Sequence, residues 1–449
     1  MTSNETLNIY RPEDVLGYIP HLLGYWPQDS LVAITMQEKT FGATLRVDLP
    51  TSNSPRVRAA FAEYVRNHLL ADEQADGVVL ALYDSAGWDD GSVVCRAMPV
   101  LVALQQALET VGLCVREAWL VGDDYWRSAF CTDADCCPVP GLPVEQIRNG
   151  RINAEMVYRG SSVGSSPQSR VDPPRLARPG KPHGGVLEAE LKFEGQFTGA
   201  WRSRLCLDAV MDAWLQILDR PWARGESTPD GAGEVQGFEG PAADELVGFL
   251  RASLAVPPWR DAIMVMAAAG VRSAKAGAEA FNLFDENVSP SLPFDPLELG
   301  LRAGHDPSDW PETAFGTGRG GGLAGEPEMP QPSLDSGHGG LFSYGEVLLG
   351  VQPGIPDWQL LDALQRVLSF LSFDEEESEA AAAALTLQGW IAWCKGSGSF
   401  AHACLDRALA VNPGYRLAEL LDEILGQGTV SGWARRPDSA WGTHVAGRK

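Results

Sequence analysis

An α/β domain followed by an all-helical part is the fold class this sequence predicts, and three observations carry the prediction. Residues 77–83 read Gly-Val-Val-Leu-Ala-Leu-Tyr, apolar on both faces, which suits a central strand covered by helices on each side. Strand-like and helix-like patterns alternate through the first 160 residues. After the Ser- and Pro-rich stretch that follows them, the periodic segments repeat at helical spacing.

Leu31–Met36 and Phe41–Val47 are short apolar runs, and Gln37–Thr40 between them is short enough for a hairpin. Arg56–Leu70 places Val57, Phe61, Tyr64, Val65 and Leu69 on one helical face. After the Gly77–Tyr83 strand, Val93–Val111 is helical, with a stripe of Val94, Met98, Leu101, Val102, Leu104 and Leu108 expected to be buried. Ala118–Val121 supplies a further strand and Tyr125–Cys131 another. The order ββαβαβ over residues 1–160 predicts a mixed sheet with helices packed against it.

Residues 161–302 read as a linker, 161–185, followed by helices over 200–218, 241–255 and 259–271, with 221–240 as a loop. Residues 303–340 are dense in Gly, Pro and acids and cannot bury enough apolar surface to offset their ordering entropy. The glycine run 316–322 inside them follows no strand and lacks the Gly-Lys-Ser/Thr of a phosphate loop. Residues 341–427 return to helix. Asp357–Phe373 is strongly amphipathic, and five acids in 374–379 suit a helix start, where the dipole favours negative charge. Residues 428–449 are expected to be a flexible tail.

The chain has 449 residues, with 59 acidic against 35 basic side chains and a formal charge of −24. Such a surface repels phosphate backbones and anionic membranes, so neither nucleic acid nor membrane is expected as a partner. No basic start with an apolar core marks a signal peptide, and the longest apolar stretch falls well short of a membrane span. Eight cysteines in a chain this long are not a disulfide framework, so a cytoplasmic protein with reduced thiols is expected.

Two stretches carry a family resemblance. The first runs from Arg11-Pro12-Glu13-Asp14 through His21-Leu22-Leu23-Gly24-Tyr25-Trp26-Pro27-Gln28-Asp29-Ser30-Leu31-Val32 to Leu45-Arg46-Val47-Asp48-Leu49-Pro50; the second spans 389–425. Together with the cysteine-bearing segment 131–141 between them, they resemble the actinobacterial domain of unknown function 4192 family. That resemblance implies no activity. The C-terminal stretch also resembles a tetratricopeptide-type helical hairpin. Gly389, Ala392, Gly396, Ala401, Leu405, Ala408 and Pro413 fall on its register, although Gln388 and Ala392 depart from it and one repeat is visible.

Three places can hold function. His21, Tyr25, Asp29, Ser30, Arg46 and Asp48, with Trp26, are expected on a loop and paired strands that would line a polar pocket. There His21 would serve as acid or base, or the same groups would simply brace a turn. Cys131, Cys136 and Cys137 lie in a polar loop. They are candidate zinc ligands, although adjacent cysteines point apart in extended chain, and redox chemistry or a bland turn are the alternatives. The remaining cysteines, 95, 114, 206, 394 and 404, sit in apolar patterns and are expected in the core. Trp390, Trp393, Leu405 and Tyr415 are candidates for a protein-binding surface, against the alternative of core. No catalytic signature is complete. A protein-binding or scaffolding role leads, ahead of an enzyme or small-ligand sensor at His21–Asp48 and a metal- or thiol-dependent regulator at Cys131–Cys137. The sequence leaves the oligomeric state open.

Overall fold

The computed structural model describes residues 9–89, 91–159, 161–171, 184–225, 238, 243–285, 288, 292–302, 341–373, 378–436 and 438–441. The expected linker 303–340 and most of the acidic run 374–379 lie outside them. The chain divides at residue 172 into two compact units.

The first unit is built from α1 (Pro12–Leu23), β1 (Ser30–Gln37), β2 (Thr40–Asp48), α2 (Pro55–Leu69), β3 (Gly77–Tyr83), α3 (Ser92–Glu109), β4 (Cys114–Val121), β5 (Tyr125–Ser128), β6 (Leu142–Pro143), α4 (Glu145–Arg148), α5 (Arg151–Tyr158) and α6 (Pro167–Val171). The sheet order is β2-β1-β3-β4-β5-β6, parallel between β3 and β4 and antiparallel elsewhere, so the expected mixed sheet is present. Every residue of β3 is buried, as its two-faced apolarity requires. On one face Leu31, Ala33, Val78, Leu80, Leu82 and Leu120 pack with side chains of α2 and α3. On the other, Val32, Ile34, Val79, Ala81 and Val121 pack with Val15, Leu16 and Ile19 of α1 and Ile147 of α4. The buried stripe of α3 is rotated from expectation: Val93, Ala97 and Val100 join Leu101, Leu104 and Leu108, while Val102 is exposed.

The β1–β2 hairpin carries one irregularity with a clear cause. Ile34 pairs with Thr44 but Met36 pairs with Phe41, so Thr35 faces both Gly42 and Ala43. The extra residue frees the Ala43 N–H from the ladder, and the Asp72 carboxylate takes it at 3.3 Å. The same carboxylate accepts from Thr35 Oγ1, from Gln37 Nε2 at 2.9 Å and from Gln74 N at 3.3 Å. A Cβ at position 42 would overlap that carboxylate, so glycine is required there by close approach.

The second unit contains α7 (Gly184–Thr198), α8 (Arg204–Leu218), α9 (Pro221–Arg224), α10 (Ala243–Leu254), α11 (Pro257–Ala269), α12 (Val271–Ala280), α13 (Tyr344–Leu348), α14 (Trp358–Leu371), α15 (Glu379–Cys394), α16 (Gly398–Val411), α17 (Arg416–Gly426) and α18 (Gly432–Arg435). The middle helices belong with the C-terminal ones. Arg251 of α10, fully buried, donates from Nε to Glu190 of α7 at 2.6 Å, from Nη1 to the Leu371 carbonyl ending α14, and from Nη2 to Ser378 Oγ at 2.9 Å, where Ser378 caps α15. Its guanidinium also lies 4.1 Å from the Phe373 ring.

Two expectations are corrected. α7 and α12 lie outside the three middle helices read from the sequence. Of the expected tail 428–449, residues 428–436 and 438–441 are packed, and 442–449 lie outside the described residues. Trp433 is fully buried, donates to the Pro353 carbonyl at 2.7 Å and meets Trp358 and Trp390 edge-on. One tryptophan can anchor so short a segment because it buries more apolar area than any other side chain.

Burial alone would raise the Asp72 pKa, but its hydrogen bonds from Thr35, Gln37, Ala43 and Gln74 outweigh that and hold it below the usual carboxylate range. A depressed pKa contributes stability that is present above the unfolded-state value and lost as pH falls through the folded one. Asp72→Asn is therefore expected to lower the unfolding midpoint at pH 7, with the gap to wild type closing as pH falls below the ordinary carboxylate range. Denaturant titrations at several pH values check this, and a pH-independent gap would contradict it. In the second unit, Arg251→Ala strands the Glu190 charge and should cost roughly 3–5 kcal/mol by chemical denaturation. Arg251→Met with Glu190→Gln should recover part of that loss.

Candidate functional site

The N-terminal block differs from expectation first in its helix. Residues 21–23 are the last turn of α1, not a loop. Pro12 opens the helix, where its missing N–H costs nothing, and the buried Asp14 carboxylate takes the Tyr10 and Arg11 N–H groups at 3.1 and 3.3 Å. Gly24, at φ 79°, closes it. The following residues are then zipped to a distant segment: Gly164 N–H reaches the Gly24 carbonyl at 2.9 Å, and Trp26 N–H reaches the Gly164 carbonyl at 3.1 Å.

His21 is buried behind that zipper. Its Nε2 lies 2.7 Å from Asn153 Oδ1 and its Nδ1 2.9 Å from Ser161 Oγ. Asn153 Nδ2 donates to the Arg148 carbonyl, which fixes the amide orientation and makes Oδ1 the acceptor facing His21. An amide oxygen can only accept, so His21 donates to it from Nε2, and the Ser161 hydroxyl completes the chain at Nδ1. The chain Ser161–His21–Asn153–Arg148 braces α1 against α5 and the 161–164 segment. Asp29, exposed at φ 41°, turns the chain into β1 and accepts the Leu49 N–H. Arg46 pairs with Asp48 at 2.6 Å and donates to the Gln28 carbonyl at 3.3 Å, which is the turn-bracing role.

The remaining residues of the block fall on the sheet face covered by α1. Ser30 pairs with Asp48 and with Tyr83, Tyr83 with Val121, and Val121 with Trp126. Registered partners share a face, so these side chains form one row at the carboxyl ends of the parallel strands β3 and β4. In open α/β sheets ligands sit at that end. The next row on the same face holds Arg46, Val32, Ala81 and Trp119. Ser30 Oγ, Tyr83 Oη, Trp126 Nε1 and Trp119 Nε1 are buried without a hydrogen-bond partner among the described residues, as are Tyr25 Oη and Arg46 Nε. Burial pushes the Tyr83 phenol far above its usual pKa, so it keeps its proton and stays a donor. Trp26 meets Tyr83 edge-on at 6.3 Å, and the Arg148 guanidinium stacks over Trp26 at 5.0 Å.

Cys131, Cys136 and Cys137 lie on the loop between β5 and β6. The backbone is a turn, not extended chain: Cys137 N–H reaches the Asp133 carbonyl at 2.8 Å and Asp135 N–H reaches Asp133 Oδ1 at 2.9 Å. The three sulfurs consequently converge within 4.8 Å of one another, against the expectation that adjacent cysteines would diverge. Cys137 is buried, Cys131 half-buried and Cys136 exposed. Hydrogen bonding and charge from Cys137 and Cys131 push the Cys136 thiol up to about 11. A backbone hydrogen bond at Asp133 leads the effects that hold Cys131 below its usual value. Of the other cysteines, 206, 394 and 404 are buried as expected, while Cys95 and Cys114 are exposed.

A family profile described as domain of unknown function (DUF4192) matches residues 12–283 and 361–430, well over half of the chain. The chain belongs to this DUF4192 family. No curated protein and no solved structure matches it. The matched ranges include the His21–Asp48 block, the Cys131–Cys137 loop, most of α14 and the helices α15 to α17.

Within the second matched range, Trp390, Trp393, Leu405 and Tyr415 are all buried. Trp390 and Trp393 donate to the Leu348 and Thr429 carbonyls, and Arg260 donates to the Tyr415 hydroxyl at 2.5 Å. Leu405 packs on Gly389, where an added Cβ would stand 3.1 Å from it, so glycine lets α15 and α16 approach closely. These four residues lie in the core of the second unit, not on an exposed surface. The sequence reading missed Asn153, Ser161, Tyr83, Trp119 and Trp126. For the last three a signal existed: aromatic side chains with polar ends inside apolar strand runs. His21→Ala removes the middle of a buried hydrogen-bond chain and should cost about 1–3 kcal/mol of first-unit stability. Equilibrium unfolding with an unchanged midpoint would contradict the bracing role.

Proposed function

We propose that the first unit is a small-ligand-binding module that takes a carboxylate- or phosphate-bearing molecule along the Ser30–Tyr83–Trp126 row. The observation that carries this reading is the set of buried polar atoms on one sheet face that have no partner among the described residues. Each buried group left unsatisfied costs about 1–3 kcal/mol, so five or six together would rival the whole stability of a typical domain. Trp119 Nε1, Trp126 Nε1 and Arg46 Nε can only donate, and the Tyr83 phenol remains protonated. A molecule satisfying them must offer acceptors, and an anion does so most strongly. Arg148, stacked on Trp26 beside Tyr83, supplies positive charge near the row in a chain of formal charge −24, while the Arg46 charge is paired with Asp48.

Protein binding by the second unit is the second reading. It rests on the tetratricopeptide-like spacing of the α15–α16 hairpin and on α17, where Leu420 stays at the surface. A partner would use that outer face, since the hairpin tryptophans are interior.

The test is thermal unfolding of the full chain in inorganic phosphate and in acetate, against chloride at matched ionic strength. A saturable rise in midpoint is expected with at least one of the two anions, reaching about 2.7 kcal/mol at a hundred times Kd. Tyr83→Phe and Trp126→Phe should diminish that rise, and Tyr83→Phe, which removes the unsatisfied hydroxyl and little else, should leave the anion-free protein as stable or more so. No response to either anion, combined with destabilisation by Tyr83→Phe, would sink the reading.

A further inference from the structure

We infer that Cys131, Cys136 and Cys137 form a thiolate site for a single soft divalent cation, zinc being the representative case. The site is separate from the sheet row and stands on different observations. Three sulfurs within 4.8 Å of one another are already close to a tetrahedral ligand set. With Zn–S bonds of about 2.3 Å, tetrahedral sulfurs stand roughly 3.8 Å apart, so closure by about 1 Å completes it. Cys137 is the buried anchor. Cys131 and Cys136, half-buried and exposed, have the freedom to make that movement.

The loop that carries them is held at both ends. Ala129 N–H bonds to the Ala118 carbonyl before it, and Leu142 pairs with Trp126 after it. Between these ends the Asp133 turn directs Cys137 back toward Cys131. Three thiolates and a divalent ion carry one net negative charge. Arg127, buried to nine-tenths, lies beneath the loop with one guanidinium nitrogen on the Cys131 carbonyl at 3.3 Å and an Nε that has no hydrogen-bond partner among the described residues. Its charge offsets that of the loaded site. Three protein ligands leave the fourth position of a tetrahedral ion to water or to an outside ligand, which is the arrangement of an open site rather than a closed structural one.

The experiment uses the full chain purified without chelator, then stripped and titrated with Co²⁺ and with Zn²⁺. One equivalent should bind, with cobalt producing a near-ultraviolet thiolate-to-metal absorption. Cys131→Ser and Cys136→Ser should abolish that absorption and weaken zinc binding by more than about 100-fold. Cys95→Ser and Cys114→Ser, which change exposed thiols elsewhere, should leave both unchanged. Circular dichroism of Cys136→Ser, an exposed position, confirms that the variant is folded. The inference is overturned if wild type binds no metal, if Cys136→Ser binds it as well as wild type, or if the isolated protein is two hydrogens lighter through a disulfide within the trio.

Discussion

β3 has no polar face. Seven consecutive buried residues in one strand oblige the chain to cover both sides of the sheet, and the rest of the first unit follows from that obligation. α2 and α3 cover one side. The other side falls to α1, which precedes the sheet in sequence, together with α4, which follows it; α5 packs on α1. Helices from opposite ends of the unit therefore meet on one face. Where they meet, α1 brings in a buried histidine, and a buried imidazole needs partners. Asn153 and Ser161 provide them, so the polar chain at His21 is a consequence of how the apolar strand is covered.

The same cover creates the chemical interest of that face. The helical cover on that side leaves Ser30, Tyr83, Trp119 and Trp126 buried, with polar atoms that have no partner among the described residues. An ordinary core would carry leucine or valine there at lower cost. The thiol loop begins where β5 ends, immediately after the Trp126–Arg127 pair. Trp126 serves one face of the sheet, while Arg127 turns to the other and to the cysteine loop.

The second unit solves a comparable problem with charge. A fully buried guanidinium joins α7, α10, the end of α14 and the start of α15, and each of its hydrogen bonds fixes a different element. Tryptophans do the rest. Trp358, Trp390 and Trp433 meet edge-on, and each indole N–H ends on a backbone carbonyl, which lets large polar-tipped rings lie inside without penalty. This is why aromatics at helical spacing in this chain mark its interior rather than a surface for partners.

Although α1 and the short β6 were not read from it, periodicity along the chain was enough to indicate the strands β1 to β5, α2, α3 and the amphipathic α14. Each depends on residues a few positions apart, and a spacing of two or of three to four is visible in the sequence itself. The rotated stripe of α3 shows the limit of that reading: the pattern predicted a helix but not which neighbours its faces would meet. Contacts across long sequence separations were decided by tertiary structure. His21 finds its partners 132 and 140 residues away, and Arg251 finds one of its own 127 residues away. The orphaned row exists only once four strands lie in register, and the cysteines converge only because one turn folds back on itself. A hydrogen bond or a metal site is specified by about 3 Å of space, and sequence spacing fixes distances in space only within a single helix, strand or turn.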